Sequence, residues 1–312
     1  MRIISIVGPT AVGKTSFALE KARELLKTGK VEGVSLISAD SRQVYKGLEV
    51  ISGADMPPNF KMLGTDESIK RGLDQIGKVY KATDADILLF GVGEVTVNDN
   101  WSLAHFIKLT LKVVAWSKSR GFGVVVVGGT HLYQKQLVRS LSDKNVEQVF
   151  VKPNPEIRHK AESMKLVKLQ SWLQELDNNK WQKMNESDRA NPRRLVRSIE
   201  IALADPGVGK EKTQVSNCDL EFETIKLLPT DKADHKQKIR QRVIERLENG
   251  ALDEVEKLLK RNLDPKGQVM TTLGVPEIIQ HLEGKIDKNE LIDLWTLHET
   301  QYVKSQMKWL NE

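Results

Sequence analysis

The chain holds a single cysteine, Cys218, in 312 residues. One thiol cannot form an intramolecular disulfide or a cysteine-rich zinc site, which fits a reducing compartment. No apolar run approaches the roughly 18 to 20 residues that a membrane-spanning helix needs. The apolar start, residues 2–7, is too short for the core of a signal peptide and runs straight into a glycine loop. A cytoplasmic protein with no membrane partner is expected. Internal repeats and low-complexity tracts are also missing, which leaves one large domain or two of ordinary size.

Excess charge of one sign is small. Lys and Arg number 48 against 42 Asp and Glu, a net +6, which permits a polyanionic partner without requiring one. The basic residues gather at Arg189, Arg193, Arg194 and Arg197, and again at Lys236, Lys238, Arg240, Arg242 and Arg246. Charge patterning alone favours two solvated helix faces.

Three β-branched runs stand out: "RIISIV" at 2–7, "GVSLIS" at 33–38 and "GVVVVGG" at 123–129, with "ADILLFGV" at 85–92 as a fourth candidate. Each is followed by turn residues or a helical pattern, the signature of βαβ units and a parallel sheet in an α/β protein. Between 101 and 119, Leu103, Phe106, Ile107, Leu111, Val114 and Ala115 recur at helical spacing, so this segment is expected to pack as a crossover helix. From about residue 140 the pattern turns helical, broken by Asn, Pro and Gly clusters. The polar stretch 207–221 reads as an extended connection, 222–230 as one more strand, and 231–312 as helices.

"GPTAVGKT" at 8–15 satisfies G-x-x-x-x-G-K-[ST] in the context that motif requires, after a strand and before a helix. Its backbone N–H groups, from Gly8 through Thr10, Ala11, Val12 and Gly13, can turn inward around phosphate oxygens, aided by the helix start. Lys14 neutralises the outer phosphate, and the Thr15 hydroxyl can ligate Mg²⁺. A phosphate cradle does not name the reaction. Asp40 follows the strand at 33–38 and so faces the same crevice, at the carboxyl ends of the strands. It can hold magnesium, act as a general base, or merely cap a turn. The strand at 123–129 ends in Gly128, Gly129 and Thr130 and has no acidic residue, which weakens a motor-type NTPase reading. The glycines suit close approach to a ligand or a tight turn, and Thr130 can offer a hydrogen bond at the reacting centre.

The combination "GPTAVGKT", "SADSRQVYKGL" and "VVGGTHLY" resembles the tRNA dimethylallyltransferases, also called tRNA isopentenyltransferases. Looser likenesses, "ANPRRLVRSIEI", "LGVPEIIQHLEG" and "YVKSQMKWL" among them, follow in the same order along the whole chain. The resemblance implies a P-loop-type parallel sheet flanked by helices, with core segments 1–140 and 216–312 and an inserted α-helical domain at 141–215. It implies transfer of a dimethylallyl group from dimethylallyl diphosphate to N6 of an adenosine beside the anticodon, tRNA position 37. Mg²⁺ would be the cofactor, the tRNA anticodon stem-loop the partner, and a monomer the acting form.

Within that resemblance, Asp40 is the base, Lys14 and Thr10 serve the departing diphosphate, and Arg242 helps bind the diphosphate or position the base. Asp40, Ser41, Arg42 and Gln43 would meet loop bases, while Arg193, Arg194 and Arg197 would meet backbone phosphates; Lys304 and Gln306 belong to the same tRNA surface. The target base would have to leave its stack to reach the crevice. The alternatives are an adenylate prenyltransferase, which would need no helical insertion, and a P-loop small-molecule or nucleoside kinase. Departures from the family pattern are Val275, where a Tyr is common, and Thr300 and Ser305, where arginines are expected.

Overall fold

A computed structural model describes the chain except for residues 55, 143–147, 150, 152, 205–209, 212–219 and 311–312. Cys218 and most of the connection at 207–221 lie outside the described residues. The chain divides into two compact units: residues 1–142 with 217–312, and residues 143–216.

The first unit is built on a seven-stranded sheet. Its strands are β1 (Arg2–Val7), β2 (Gly33–Ser38), β3 (Phe60–Met62), β4 (Tyr80–Ala82), β5 (Ile87–Phe90), β6 (Phe122–Gly128) and β7 (Glu221–Lys226). They lie in the order β7, β1, β6, β2, β5, β4, β3. From β7 to β5 all neighbours are parallel, whereas β4 and β3 add an antiparallel edge. The central strands β2 and β6 are buried at every position, as expected of parallel strands covered on both faces, and this is why they read as largely apolar runs, broken in β2 only by Ser35 and Ser38. The strand anticipated at 222–230 stops at Lys226, and β3 and β4, three residues each, had no counterpart in the apolar pattern.

Helices α1 (Lys14–Lys27), α2 (Leu103–Ser119) and α3 (His131–Ser142) cover the sheet. The interior of α2 includes Phe106, Ile107, Val113 and Val114, but also Thr110 and Ser117; Ala115, assigned to the packed face by spacing, is exposed. Ser117 is drawn inward because its hydroxyl bonds that of Ser35 on β2 at 2.8 Å. From α3, Gln134 reaches under the sheet's carboxyl edge and donates to the carbonyls of Ile6 (3.2 Å) and Gly128 (3.0 Å). That side chain ties the ends of β1 and β6 together where the phosphate motif begins.

The second unit carries helices α4 (Pro155–Glu162), α5 (Leu166–Leu176) and α6 (Pro192–Ala202) around Leu169, Leu173, Leu195 and Ile199. It also holds a two-stranded pairing of Gln148–Val149 with Lys210–Glu211, which the helical pattern did not indicate. The first unit is completed by α7 (Lys232–Glu248), α8 (Ala251–Leu259), α9 (Val275–Leu282) and α10 (Lys288–Leu310). Among the described residues no helix is long and apolar enough to cross a membrane.

Candidate active site

The phosphate motif, the turn after β2 and the end of β6 meet at the carboxyl edge of the sheet and open onto one cavity of about 730 Å³. Its polar end is formed by Thr10, Ala11, Gly13, Lys14, Thr15 and Ser16, with Asp40, Ser41, Arg42 and Gln43 opposite. An apolar wall includes Ile51, Met56, Pro57, Leu89, Val92 and Leu273. Gly13 takes φ +79° and starts α1, a left-handed conformation that favours glycine. Gly8, Val12 and Thr130 do not line the cavity. Gly8 instead packs on the Leu227 carbonyl. Thr130 donates its N–H to the Ala39 carbonyl at 3.3 Å and accepts from the Tyr133 N–H at 3.0 Å through its own carbonyl.

Lys14 and Asp40 are the charged side chains expected from the sequence at the polar end, and both line it. Burial pushes the Lys14 ammonium down to about 8; Asp40 and Glu299 counter that, and Arg242 adds to it. The ammonium donates to the Pro9 carbonyl at 2.5 Å, so it is folded back onto its own loop. Asp40 accepts the N–H groups of Arg42 (2.8 Å) and Gln43 (3.4 Å) on one oxygen, Oδ1. It therefore does cap its turn, and that fixes the carboxylate while leaving Oδ2 for a ligand.

The loop is held from the far end of the chain. Thr10 donates its N–H to Gln306 Oε1 at 3.0 Å, accepts His235 Nε2 on its carbonyl at 2.8 Å, and accepts Arg242 Nη1 on its hydroxyl at 3.1 Å. The Gln306 amide also donates to the Gly129 carbonyl at 3.1 Å. Thr10, expected to touch phosphate, thus also holds the loop in shape, and Gln306, expected on a tRNA surface, is spent inside the site. Gln43 is likewise engaged, accepting from the Ser38 hydroxyl at 2.8 Å and donating to the Gly53 carbonyl at 2.9 Å. Gly128 and Gly129 both line the cavity; packing also requires the first, where a β-carbon would strike the Ala39 carbonyl, while one on the second would stand 2.5 Å from the movable Gln306 Nε2.

Sequence reasoning missed His235, Arg246 and Glu299. They are 5%, 8% and 6% exposed, although the first two sit in a run rich in Lys and Arg. The signal was present in the spacing: His235, Ile239, Val243, Arg246 and Leu247 form one buried stripe of α7. On α10 the buried stripe runs through Trp295, Glu299, Val303 and Gln306. Counting only apolar residues hides both stripes.

The second unit treats its arginines differently. Asn191 caps α6, accepting from the N–H groups of Arg193 and Arg194. Arg194 pairs with Asp188, and Arg197 donates to buried Glu200 at 3.0 Å and to the Val151 carbonyl at 2.7 Å. Of the three residues expected to meet RNA phosphates, Arg193 is exposed and Arg197 is committed to its own unit. On α10, Lys304 is exposed and outside the cavity. Thr300 and Ser305, where arginines were expected, bond back to the carbonyls of Thr296 (2.7 Å) and Gln301 (3.3 Å) in their own helix. Val275 is fully buried.

For a divalent cation, the donors on offer are the Thr15 hydroxyl and the Asp40 carboxylate, both lining the cavity. No group of three or more His, Cys, Asp or Glu able to cage a metal occurs among the described residues. That sparse oxygen set fits Mg²⁺, which is commonly held by one or two protein oxygens together with substrate phosphates.

A family model described as IPP transferase matches residues 75–312. The chain is 30% identical over 320 residues to a tRNA dimethylallyltransferase of Methylobacterium nodulans, covering 99% of this chain and 91% of that one. It is 28% identical to the tRNA dimethylallyltransferase of Francisella tularensis subsp. novicida, with 99% and 90% covered. Two solved structures share the fold. A eukaryotic dimethylallyltransferase acting on tRNA superposes with TM-score 0.70 at 21% identity, covering 99% of this chain and 69% of that one. The tRNA isopentenylpyrophosphate transferase of Bacillus halodurans gives 0.59 at 23%, with 100% and 87% covered.

Proposed function

The chain belongs to the IPP transferase family, and on that premise we propose that it transfers a dimethylallyl group from dimethylallyl diphosphate to N6 of an anticodon-adjacent adenosine in tRNA. The observation that carries this reading is a single cavity lined by the phosphate loop, by the turn-fixed Asp40 carboxylate and by apolar residues including Ile51, Met56, Leu89 and Val92. A cradle alone serves many reactions; hydrocarbon lining beside it suits a donor with an apolar tail.

In the proposed step the adenine amine attacks the allylic carbon, the carbon–oxygen bond to the diphosphate breaks, and the diphosphate leaves with the bonding electrons. Lys14 and the inward N–H groups of the loop stabilise the charge that builds on the leaving oxygens. Asp40, held at Oδ1 by its own turn, takes the amine proton as the carbon–nitrogen bond forms. The Thr15 hydroxyl would hold Mg²⁺, which when bound supplies charge neutralisation to the diphosphate. Arg193 supports contact with RNA phosphate from the second unit. The acting form is a monomer in this reading.

Incubating the protein with dimethylallyl diphosphate, Mg²⁺ and total tRNA is expected to yield N6-prenylated adenosine by mass spectrometry. Product with AMP but not with tRNA would make it an adenylate prenyltransferase, and ATP turnover on a small acceptor would make it a kinase. Replacing Asp40→Ala is expected to lower turnover by about 10²- to 10⁴-fold with tRNA binding retained; an unchanged rate would take Asp40 out of the mechanism.

A further inference from the structure

Arg242 and Arg246 stand four residues apart on α7, on one face and one turn from each other, and both line the cavity. Their terminal nitrogens converge on Gly53. A β-carbon at that position would stand 2.6 Å from Arg246 Nη2 and 2.8 Å from Arg242 Nη2, so the two guanidiniums lie side by side against bare backbone. Like charges brought this close in a buried place repel and need an anion nearby. Glu299 supplies one negative charge, accepting Arg246 Nη1 at 2.8 Å with the two side chains 10% and 8% exposed.

That single carboxylate does not satisfy what is gathered here. Lys14, Arg42, Lys238, Arg242 and Arg246 bring five positive charges to the cavity lining, against three carboxylates, Asp40, Glu245 and Glu299. Arg246 Nε is buried and has no hydrogen-bond partner, an arrangement that costs free energy until an acceptor arrives. The Arg246 guanidinium is also steadied by the Trp295 ring, 5.7 Å from its centroid, so it is placed in advance. An oxygen-rich polyanion answers each of these features at once.

We propose that Arg246, oriented by Glu299, is a second guanidinium for the donor's diphosphate, acting beside Arg242. This rests on the reading of the cavity as a diphosphate site. Arg246 binds the ligand; Glu299 is a positioning residue that keeps the guanidinium turned to the wall. The chemistry recognised is a diphosphate, free or allylic.

The test titrates inorganic diphosphate with Mg²⁺ into the full chain by calorimetry, for wild type, for the double variant Arg246→Met with Glu299→Gln, and for Arg246→Lys. Removing both charges together leaves no buried ion unpaired. The double variant is expected to bind diphosphate about 10- to 100-fold more weakly, as for a lost charge-assisted bond. Its donor KM should rise in parallel while kcat stays within a few-fold and tRNA affinity is unchanged. Arg246→Lys keeps the charge but loses the fork, and about a 3- to 10-fold loss is expected. Diphosphate affinity within twofold of wild type, in the double variant or in Arg246→Lys if the double variant fails to fold, overturns the proposal and leaves the pair a structural wedge. Failure of the wild type to bind diphosphate is a separate result and removes the donor-site reading itself.

Discussion

Helix α6 carries arginines at spacings of three and four and α7 a pair at a spacing of four, and each set meets one buried glutamate, yet the two arrangements leave opposite remainders. On α6, Glu200 takes Arg158 at 2.8 Å, Arg197 at 3.0 Å and the Asn154 N–H at 3.0 Å. Its acceptor capacity is well used and the arginines close a clamp. Beside α7, Glu299 takes one nitrogen of Arg246, while Arg246 Nε stays unpartnered and Arg242 turns to the phosphate loop. Charge content is alike in the two places; the tally of donors against acceptors separates a clamp from a binding wall.

The largest effect expected from breaking the contrast comes at the clamp. Glu200→Ala leaves the two arginines without their shared acceptor and should cost about 3 kcal/mol, toward the lower end for a broken buried pair because Arg158 is half exposed. Chemical denaturation reads this, and diphosphate affinity should not move. The same clamp has a pH signature. Burial pushes the Glu200 carboxyl up, but the bonds from Arg158 and Arg197 outweigh it and leave the group lowered. A lowered carboxyl stabilises above the unfolded value of 4.5, and that contribution should fade as pH falls through the folded pKa.

On the side of the binding wall, Lys14 titrates near 8 in the free protein. A bound diphosphate favours the ammonium, so affinity should be full below about pH 8 and decline by up to about tenfold per unit above it. A flat profile of diphosphate affinity between pH 7 and 9.5 would show that Lys14 does not face the ligand. Next in size, Gln306→Ala frees the Thr10 N–H and the Gly129 carbonyl and should cost about 1 to 2 kcal/mol. It should appear as a higher donor KM with tRNA affinity unchanged. The smallest effect belongs to exposed Arg193. Arg193→Ala should leave stability within about 0.5 kcal/mol and reduce the slope of log affinity for tRNA against log salt by about 0.7 to 0.9.

How much was legible in the sequence follows the same division. Strands β1, β2 and β6 were readable because burial on both faces favours runs rich in β-branched apolar residues, and the phosphate motif because its residues sit at fixed spacing. Strands β3 and β4 were not, since three residues carry no period. Arg246 and Glu299 were missed for a different reason: each occupies an interior position of a helix that binary patterning reserves for apolar residues, and each is tolerable there only through a partner 53 residues away. Arg197 illustrates the reverse error. Its place beside Arg193 and Arg194 suggested a phosphate ladder, but a guanidinium's direction is set by the acceptors it finds, and buried Glu200 lies one turn along the same helix.

Thr10 gives the phosphate loop an unusual schedule. Its partners come from positions 235, 242 and 306, up to 296 residues downstream. During synthesis the loop precedes every one of these partners, and it waits for α10 before its shape is secured. Contacts of such long sequence separation form late and slow the search for the native state. A nascent chain therefore carries its phosphate motif without these supports until the helix bearing Gln306 has been made.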